Sequence, residues 1–214
     1  MGWYLGVMPT PHPFEALSPT TLADVLSRDR VMALDIRPLW SGMPRLAGPA
    51  YPVRCPHGDN LMLHAAIHRA PSGSVIVVES EDCDYAVAGG NVCAVAQRRG
   101  IAGFVVDGVV RDLAELRGAR FPVFARGVCP IPGKKDVLSV LNGTVRCGGV
   151  EVAPGDVVVA DEDGIVVVPV SSSDEVLERA QAKAAKDAAQ SLNEWEAQHR
   201  ARIEAILKQK GFAG

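Results

Sequence analysis

Two clusters in this sequence carry groups able to do chemistry together: Gly89-Gly90-Asn91-Val92, and Arg111-Asp112 further along. Paired glycines opening a helix let the backbone come close to a ligand, and the unbonded N–H groups of a first helical turn attract an anion. Arg111 adds a fork-shaped cation and Asp112 a hard carboxylate. If both clusters follow parallel strands, they meet at the carboxyl ends of the sheet, where such sheets bind ligands. The same residues also read as a plain turn and a solvated charge pair, and spacing alone leaves the two readings level.

Other candidates are weaker. Asp107 precedes Gly108 at a strand end and reads first as a turn residue or a support for the site and, less readily, as a catalytic carboxylate. Asp59 and Asn60 either face the same cleft or cap a helix. His64 and His68 stand four apart, a zinc-compatible spacing, but no third ligand is near and Leu63 and Ile67 supply the core face. Cys93 lies in the first turn after the glycines without a partner histidine, which favours a small core residue over a nucleophile. Lys134-Lys135 either attracts an acidic substrate or is a solvated loop pair.

The elements that must position these residues follow from periodicity. Ser18-Pro19-Thr20-Thr21 caps a short helix to about Ser27. A Pro- and Gly-rich stretch surrounds a strand at Tyr51 to Cys55, and Gly58-Asp59-Asn60 opens a helix to about Arg69. Strands at Val75 to Val78, Phe104 to Val106 and Val123-Phe124 alternate with helices at Gly90 to Arg99 and Asp112 to Leu116, a parallel βα pattern. Short strands at Val145 to Cys147, Val150 to Val152, Val157 to Val159 and Ile165 to Val168, separated by turn signals, predict an antiparallel meander. From Ser172, with Glu175 completing a capping box, no Gly or Pro occurs until Gly211. One helix of up to about 36 residues, roughly 50 Å long, is expected there. Its apolar positions Leu177, Ala180, Ala184, Ala188, Leu192 and Trp195 form a narrow stripe that needs a surface beyond its own domain.

Composition bounds the rest. The 214 residues are 48% hydrophobic and 22% charged, a folded globular chain, and 22 basic against 25 acidic residues leave a net charge of −3. That balance removes the bulk attraction nucleic-acid binders use, and 5% aromatics make a stacking platform improbable. Five widely spaced cysteines without a C-x-x-C pair argue against a disulfide or zinc framework. Met1 to Phe14 lacks a basic start and is broken by prolines, so it fails as a signal peptide, and no apolar run spans a membrane. A cytoplasmic protein is expected, with no nucleic-acid or membrane partner.

Ordered motifs add a resemblance. Gly89-Gly90-Asn91-Val92-Cys93-Ala94, Arg99-Gly100-Ile101-Ala102-Gly103-Phe104-Val105-Val106-Asp107-Gly108-Val109-Val110-Arg111-Asp112 and Phe121-Pro122-Val123-Phe124-Ala125-Arg126-Gly127 closely resemble the RraA-like family. Gly58-Asp59-Asn60, Cys147-Gly148-Gly149-Val150 and Pro154-Gly155-Asp156 extend the match across about residues 18 to 187. That family includes the 4-hydroxy-4-methyl-2-oxoglutarate aldolases and a ribonuclease regulator. The resemblance implies a single α/β domain of the swivelling β/β/α type over 1–172, with a helical extension over 173–214 packing on a neighbouring subunit of a homotrimer or hexamer. It implies a lyase releasing pyruvate from 4-hydroxy-2-oxo acids, with oxaloacetate decarboxylation as a related activity, or alternatively a non-catalytic regulatory module. A third label attached to the family, methyl transfer, finds no nucleotide-binding fingerprint in this chain. Carried over residue by residue, Gly89 to Val92 would bind the substrate carboxylate, Arg111 the developing enolate, and Asp112 a Mg²⁺ or Mn²⁺ ion. Some members carry an acidic residue where this chain has Asn91. The family's cross-subunit carboxylate falls on Asp187, which equally reads as an i,i+4 partner of Lys183.

Overall fold

A computed structural model describes residues 12–212, so most of the Met1 to Phe14 segment read against a signal peptide lies outside the described residues. The strands are β1 (Arg37–Pro38), β2 (Leu46–Cys55), β3 (Val75–Ser80), β4 (Gly103–Val110), β5 (Val123–Val128), β6 (Val145–Cys147), β7 (Val150–Val152), β8 (Val157–Asp161) and β9 (Gly164–Val168). The helices are α1 (Pro19–Ala23), α2 (Leu61–Arg69), α3 (Gly90–Arg98), α4 (Leu113–Ala119), α5 (Ser173–Ala189) and α6 (Leu192–Gln209). Seven strands form one mixed sheet in the order β1-β5-β4-β3-β2-β8-β9. Its centre, β2 to β5, is parallel, as the alternation of valine runs and helices requires.

Strand β2 holds the sheet together. Its first half, Leu46 to Pro49, pairs antiparallel with β8, and its second half, Ala50 to Cys55, pairs parallel with β3. Each half therefore has a continuous ladder on one edge only, the second half meeting Val140 to Asn142 in an isolated bridge on the other, which is why a ten-residue strand tolerates Pro49 and Pro52. The sequence predicted only the second half, because proline and glycine density reads as loop where no edge information exists.

The sheet's two faces are covered differently. Helices α2, α3 and α4 pack on one face around Val53, Leu63, Ile76, Ala96, Phe104 and Phe121, with the Phe104 and Phe121 rings edge-to-face at 5.0 Å. The other face, carrying Val75, Val77, Val105 and Phe124, is covered by the β6–β7 hairpin through Val145, Cys147 and Val152. The result is a β/β/α stack. The four predicted C-terminal strands are antiparallel as expected, but as two separate hairpins: β8–β9 extends the main sheet, while β6–β7 lies over it. A third cluster joins Leu22 of α1 and Val176 and Ala180 of α5 to Val157, Val159, Val166 and Val168. All five cysteines are free, and no helix of the described residues is long and apolar enough to cross a membrane.

The C-terminal segment departs from the single long helix expected. It breaks at Gln190 and Ser191 into helices of 17 and 18 residues, each about 26 Å long. The cause is a second capping box: Ser191 Oγ accepts the Glu194 N–H at 3.3 Å, and Glu194 Oε2 accepts the Ser191 N–H at 2.9 Å. Ser172, predicted to cap, makes no side-chain cap bond. The apolar stripe divides at this joint. Ala180 is buried, Leu177 and Ala184 pack against the third cluster, and Leu192 and Trp195 are exposed. Replacing Ser191 by Ala should weaken α6 by about 1 kcal/mol. Amide exchange in the first turn of α6 should then rise roughly fivefold, with β3 and β4 unchanged; an unaltered α6 would show that the cap does not hold the break.

Candidate active-site cleft

Four segments meet at the carboxyl ends of β2, β3 and β4. Asn60 and His64 come from the start of α2, Ala86 to Val92 from the loop and first turn of α3, and Arg111-Asp112 from the junction of β4 and α4. Pro132 and Lys135 come from the loop after β5. Spacing alone left these clusters open between a ligand site and a plain turn beside a solvated charge pair, and the structure brings Gly89-Gly90 and Arg111-Asp112 into contact.

Backbone conformation aims the Asp112 side chain. The β4–β5 register shifts between Val106 and Val109, so that Asp107 and Gly108 together face Arg126, a bulge near the strand end. Asp112 then adopts a left-handed backbone, φ 61° and ψ 41°, at the N-cap of α4. Its Oδ2 accepts the Gly90 N–H at 2.9 Å and lies 3.5 Å from Arg111 Nε. Among the described residues no protein group bonds its Oδ1. The Arg111 N–H in turn donates to the Ala88 carbonyl at 2.9 Å, fixing the two junctions side by side.

This contact explains Gly89, and Glu115 of α4 crowds Gly90. A Cβ on Gly89 would lie 2.4 Å from Asp112 Oδ2 and 2.9 Å from Arg111 Cγ, and one on Gly90 would overlap the Glu115 carboxylate. Cys93 is the first α3 residue whose N–H reaches a backbone acceptor, Gly89 O at 3.0 Å. The Asn91 and Val92 N–H groups thus remain available at the cleft, the anion-binding arrangement expected of a helix start. The Asn91 side chain is exposed, and Cys93 is buried. Burial and, secondarily, the Asp112 charge push the Cys93 thiol up to about 12, which fits a core residue and not a nucleophile.

Asp59 and Asn60 divide the two roles the sequence offered. Asp59 is buried and braces the loop: its carboxylate accepts N–H groups from Leu61 at 2.8 Å, Asp136 at 2.6 Å and Val137 at 3.2 Å. Burial opposes its ionisation, but these donors prevail and hold the carboxyl below its usual value. Asn60 lines the cleft. Its Nδ2 donates to the Ala86 and Gly133 carbonyls, leaving its buried Oδ1 without a partner among the described residues.

The histidine pair separates. His68 is exposed, whereas His64 lines the cleft beside Lys135. Burial first, then the positive charges of Lys135 and His68, lower the His64 imidazole to about 4, so it is neutral at ordinary pH. Asp107 stands outside the cleft, bonded to Arg126 and to the Gly148 N–H at 2.7 Å, and burial raises its carboxyl above the usual value. Asp187 does not join the cleft within this chain; it is exposed on α5 with its carboxylate 2.7 Å from Lys183. Sequence reasoning weighed Lys134-Lys135 as an attractor of acidic substrate or a solvated pair and His64 as half of a weak zinc spacing, but did not join Lys135 to His64, because the contact between α2 and the loop after β5 spans some 70 residues and leaves no periodic signal.

A family model described as RraA-like, Aldolase/RraA, matches residues 19–167. A protein of Halalkalibacterium halodurans provisionally named 4-hydroxy-4-methyl-2-oxoglutarate aldolase is 38% identical over 177 residues, covering 82% of this chain and 84% of its own. Among solved structures, the RNA-processing inhibitor RraA from Thermus thermophilis superposes with a TM-score of 0.64 at 29% identity, covering 70% of this chain and 91% of that one. Streptomyces coelicolor RraAS2, described as an unusual member of the RNase ES inhibitor RraA family, gives a TM-score of 0.69 at 30% identity, covering 89% and 96%.

The crowding at Gly89 is testable against a glycine that has room. Gly89→Ala should destabilise the fold by about 1–3 kcal/mol through overpacking against Asp112 and Arg111. Gly118→Ala, with nothing within 4 Å of its added methyl and a helical position in α4, should be neutral or stabilising by up to about 1 kcal/mol. Denaturant midpoints give both values, and equal midpoints for the two variants would contradict the close approach.

Proposed function

The chain belongs to the RraA-like family, and on that premise we propose that it is a lyase cleaving 4-hydroxy-2-oxo acids to pyruvate and a second carbonyl compound. Oxaloacetate decarboxylation is the related reaction of the same site. The observation that carries this reading is the convergence of Arg111 and Asp112 on the free N–H groups at the start of α3. The Asn91 and Val92 N–H groups bind the substrate carboxylate, and the Arg111 guanidinium faces the keto oxygen. In the cleavage the C4 hydroxyl gives up its proton and C4 becomes a carbonyl as the C3–C4 bond breaks. The bond's electron pair passes into the enolate of pyruvate, which then takes a proton at C3. Decarboxylation reaches the same enolate by loss of CO₂. Arg111 neutralises the charge on the enolate oxygen, a group fixed before the charge develops.

Asp112 would be the protein's donor to a divalent cation, since among the described residues no protein group bonds its Oδ1. No cluster of three or more His, Cys, Asp or Glu side chains occurs among the described residues, so a single carboxylate, Asp112, would leave most of the coordination sphere to water and substrate, as Mg²⁺ or Mn²⁺ accept. Bound there, such an ion supplies a Lewis acid for the keto oxygen. Pyruvate release from a panel of 4-hydroxy-2-oxo acids and oxaloacetate, with and without Mg²⁺, tests the reading. Asp112→Ala and Arg111→Lys should each lower kcat/KM by about 10²-fold or more. Undiminished turnover by Asp112→Ala in excess chelator would remove Asp112 from the mechanism. A regulatory role, which the descriptions of the two RraA structures favour, becomes the better account if no member of the panel yields pyruvate.

The assembly reading is a trimer or a dimer of trimers in which α5 and α6 reach a neighbouring copy and Asp187 enters that copy's cleft. It is supported by the exposure of Asp187 and of every α6 residue from Leu192 to Ala205. Sedimentation should give a trimer or hexamer, and Asp187→Ala should lower kcat without dissociating it. A monomer ends the shared-site idea, and an oligomer with unchanged kcat reduces the helices to assembly.

A further inference from the structure

The end of the sheet opposite the cleft carries charge that the chemistry above does not use. Parallel crossovers bring the carboxyl ends of α2, α3 and α4 together at the amino ends of β3, β4 and β5. Five exposed arginines sit there: Arg69 on α2, Arg98 and Arg99 at the end of α3, Arg117 on α4 and Arg120 just beyond it. The base beneath them is tied sideways. Gln97 Nε2 donates to the Ala119 carbonyl at 3.0 Å, and Arg99 Nη2 donates to the His68 carbonyl at 2.9 Å, joining the three helix ends. The turns that follow are joined as well, through Gly73 N–H to Gly100 O at 2.7 Å and Phe104 N–H to Pro122 O at 3.0 Å.

No acid balances this surface. Residues 61–78, 85–106 and 116–135, which include the three helix ends and the turns after them, contain no Asp or Glu. Among the described residues none of the five arginines pairs with a carboxylate. A cation at a helix C-terminus offsets the helix dipole. Arg69 and Arg99 serve that role through the Ala65 and His68 carbonyls, whereas Arg98, Arg117 and Arg120 have no side-chain hydrogen bond among the described residues. Three guanidinium forks thus stand free on a rigid base.

We propose that Arg98, Arg117 and Arg120 form a docking surface for an acidic segment, rich in Asp and Glu, of a partner protein. Guanidinium forks match carboxylates in paired hydrogen bonds. What the surface lacks sets the class of anion. None of the large exposed apolar side chains of the described residues lies on these helices or their end turns, so nothing there inserts into a bilayer. The rings that follow the helix ends, Phe104, Phe121 and Phe124, are buried, which leaves none to stack on bases. Strand β4, eight residues and about 26 Å long, separates the surface from Arg111-Asp112. Docking there is independent of the lyase reading.

The probe is a short labelled poly-L-glutamate peptide, followed by fluorescence anisotropy as the full chain is added. Wild-type protein should bind it saturably, and added salt should weaken the binding. Replacing Arg98, Arg117 and Arg120 together by Gln should lower the affinity by about 10-fold or more. Replacing Arg28, Arg37 and Arg202 by Gln, exposed arginines on other surfaces, removes the same charge. That variant should stay within about twofold of the wild type. Each single replacement, Arg98→Gln, Arg117→Gln or Arg120→Gln, should cost about twofold, which keeps the test open if the triple variant folds poorly. Equal losses in the two triple variants would reduce the effect to net charge and overturn the proposal. Absence of peptide binding by the wild type overturns it as well. Tighter binding of a uridine oligonucleotide of equal charge, lost with the same three arginines, would assign the surface to nucleic acid and overturn the polypeptide class.

Discussion

A hydrogen bond from the Gly90 amide to the Asp112 carboxylate joins the two halves of the cleft, and much of the local structure exists to permit it. Asp112 holds a left-handed backbone, which costs an L-residue roughly 1–2 kcal/mol and is most tolerable for Asp and Asn. A right-handed Asp112 would point its carboxylate elsewhere. The left-handed turn brings Oδ2 to Gly90, and the N–H bond offsets part of the strain. The same approach forbids a side chain at Gly89, where a Cβ would meet Asp112 and Arg111. The missing side chain at Gly89 and the unusual backbone of Asp112 are thus a single requirement.

Behind this contact stands a brace outside the cleft. The β4 bulge at Asp107-Gly108 lies opposite Arg126, and Asp107 spans from the Arg126 guanidinium to the Gly148 amide in the turn between β6 and β7. Arg126 is itself paired with Asp35 as well. Burial raises the Asp107 carboxyl above its ordinary value, and the Gly148 N–H offsets only part of that shift. The bulge is therefore pinned from both layers of the stack. The direction in which β4 delivers Arg111 and Asp112 depends on the hairpin covering the far face of the sheet.

Much of this was legible in the sequence, for reasons that also mark where legibility ends. The valine runs and intervening helices announced parallel βα units, a local pattern, and those units decided between the two readings that spacing left level for the glycine pair and Arg111-Asp112. Pro49 and Pro52 concealed half of β2, since whether a proline is tolerated depends on which edge is paired, a fact held by β3 and β8. Ser191 and Glu194 carried the capping box that breaks the C-terminal helix, but a run without Gly or Pro masked it. Lys135 reaches the cleft only because buried Asp59 draws in the loop after β5, a contact between distant segments that no spacing encodes.

The joint between α5 and α6 divides a helix stabilised by burial from one held by local contacts. Residues of α5 up to Ala184 pack against the third core cluster and are stabilised by burial. Helix α6 has no buried residue, and an isolated helix of 18 residues is marginal in water. What sustains it within the chain is local: the Ser191–Glu194 box, the Arg200–Glu196 pair at 2.7 Å, and the Trp195–His199 stacking at 4.6 Å. A bond from Gln190 Nε2 to Gln198 Oε1 at 2.9 Å spans the joint. These terms fix the direction in which α6 leaves the domain without requiring it to pack there. Leu192, Trp195 and Ile203 are 76%, 49% and 39% exposed, apolar surface that finds no cover in its own domain. Asp187 lies within one turn of the same joint, so the geometry that aims this apolar surface outward also sets where the Asp187 carboxylate is presented.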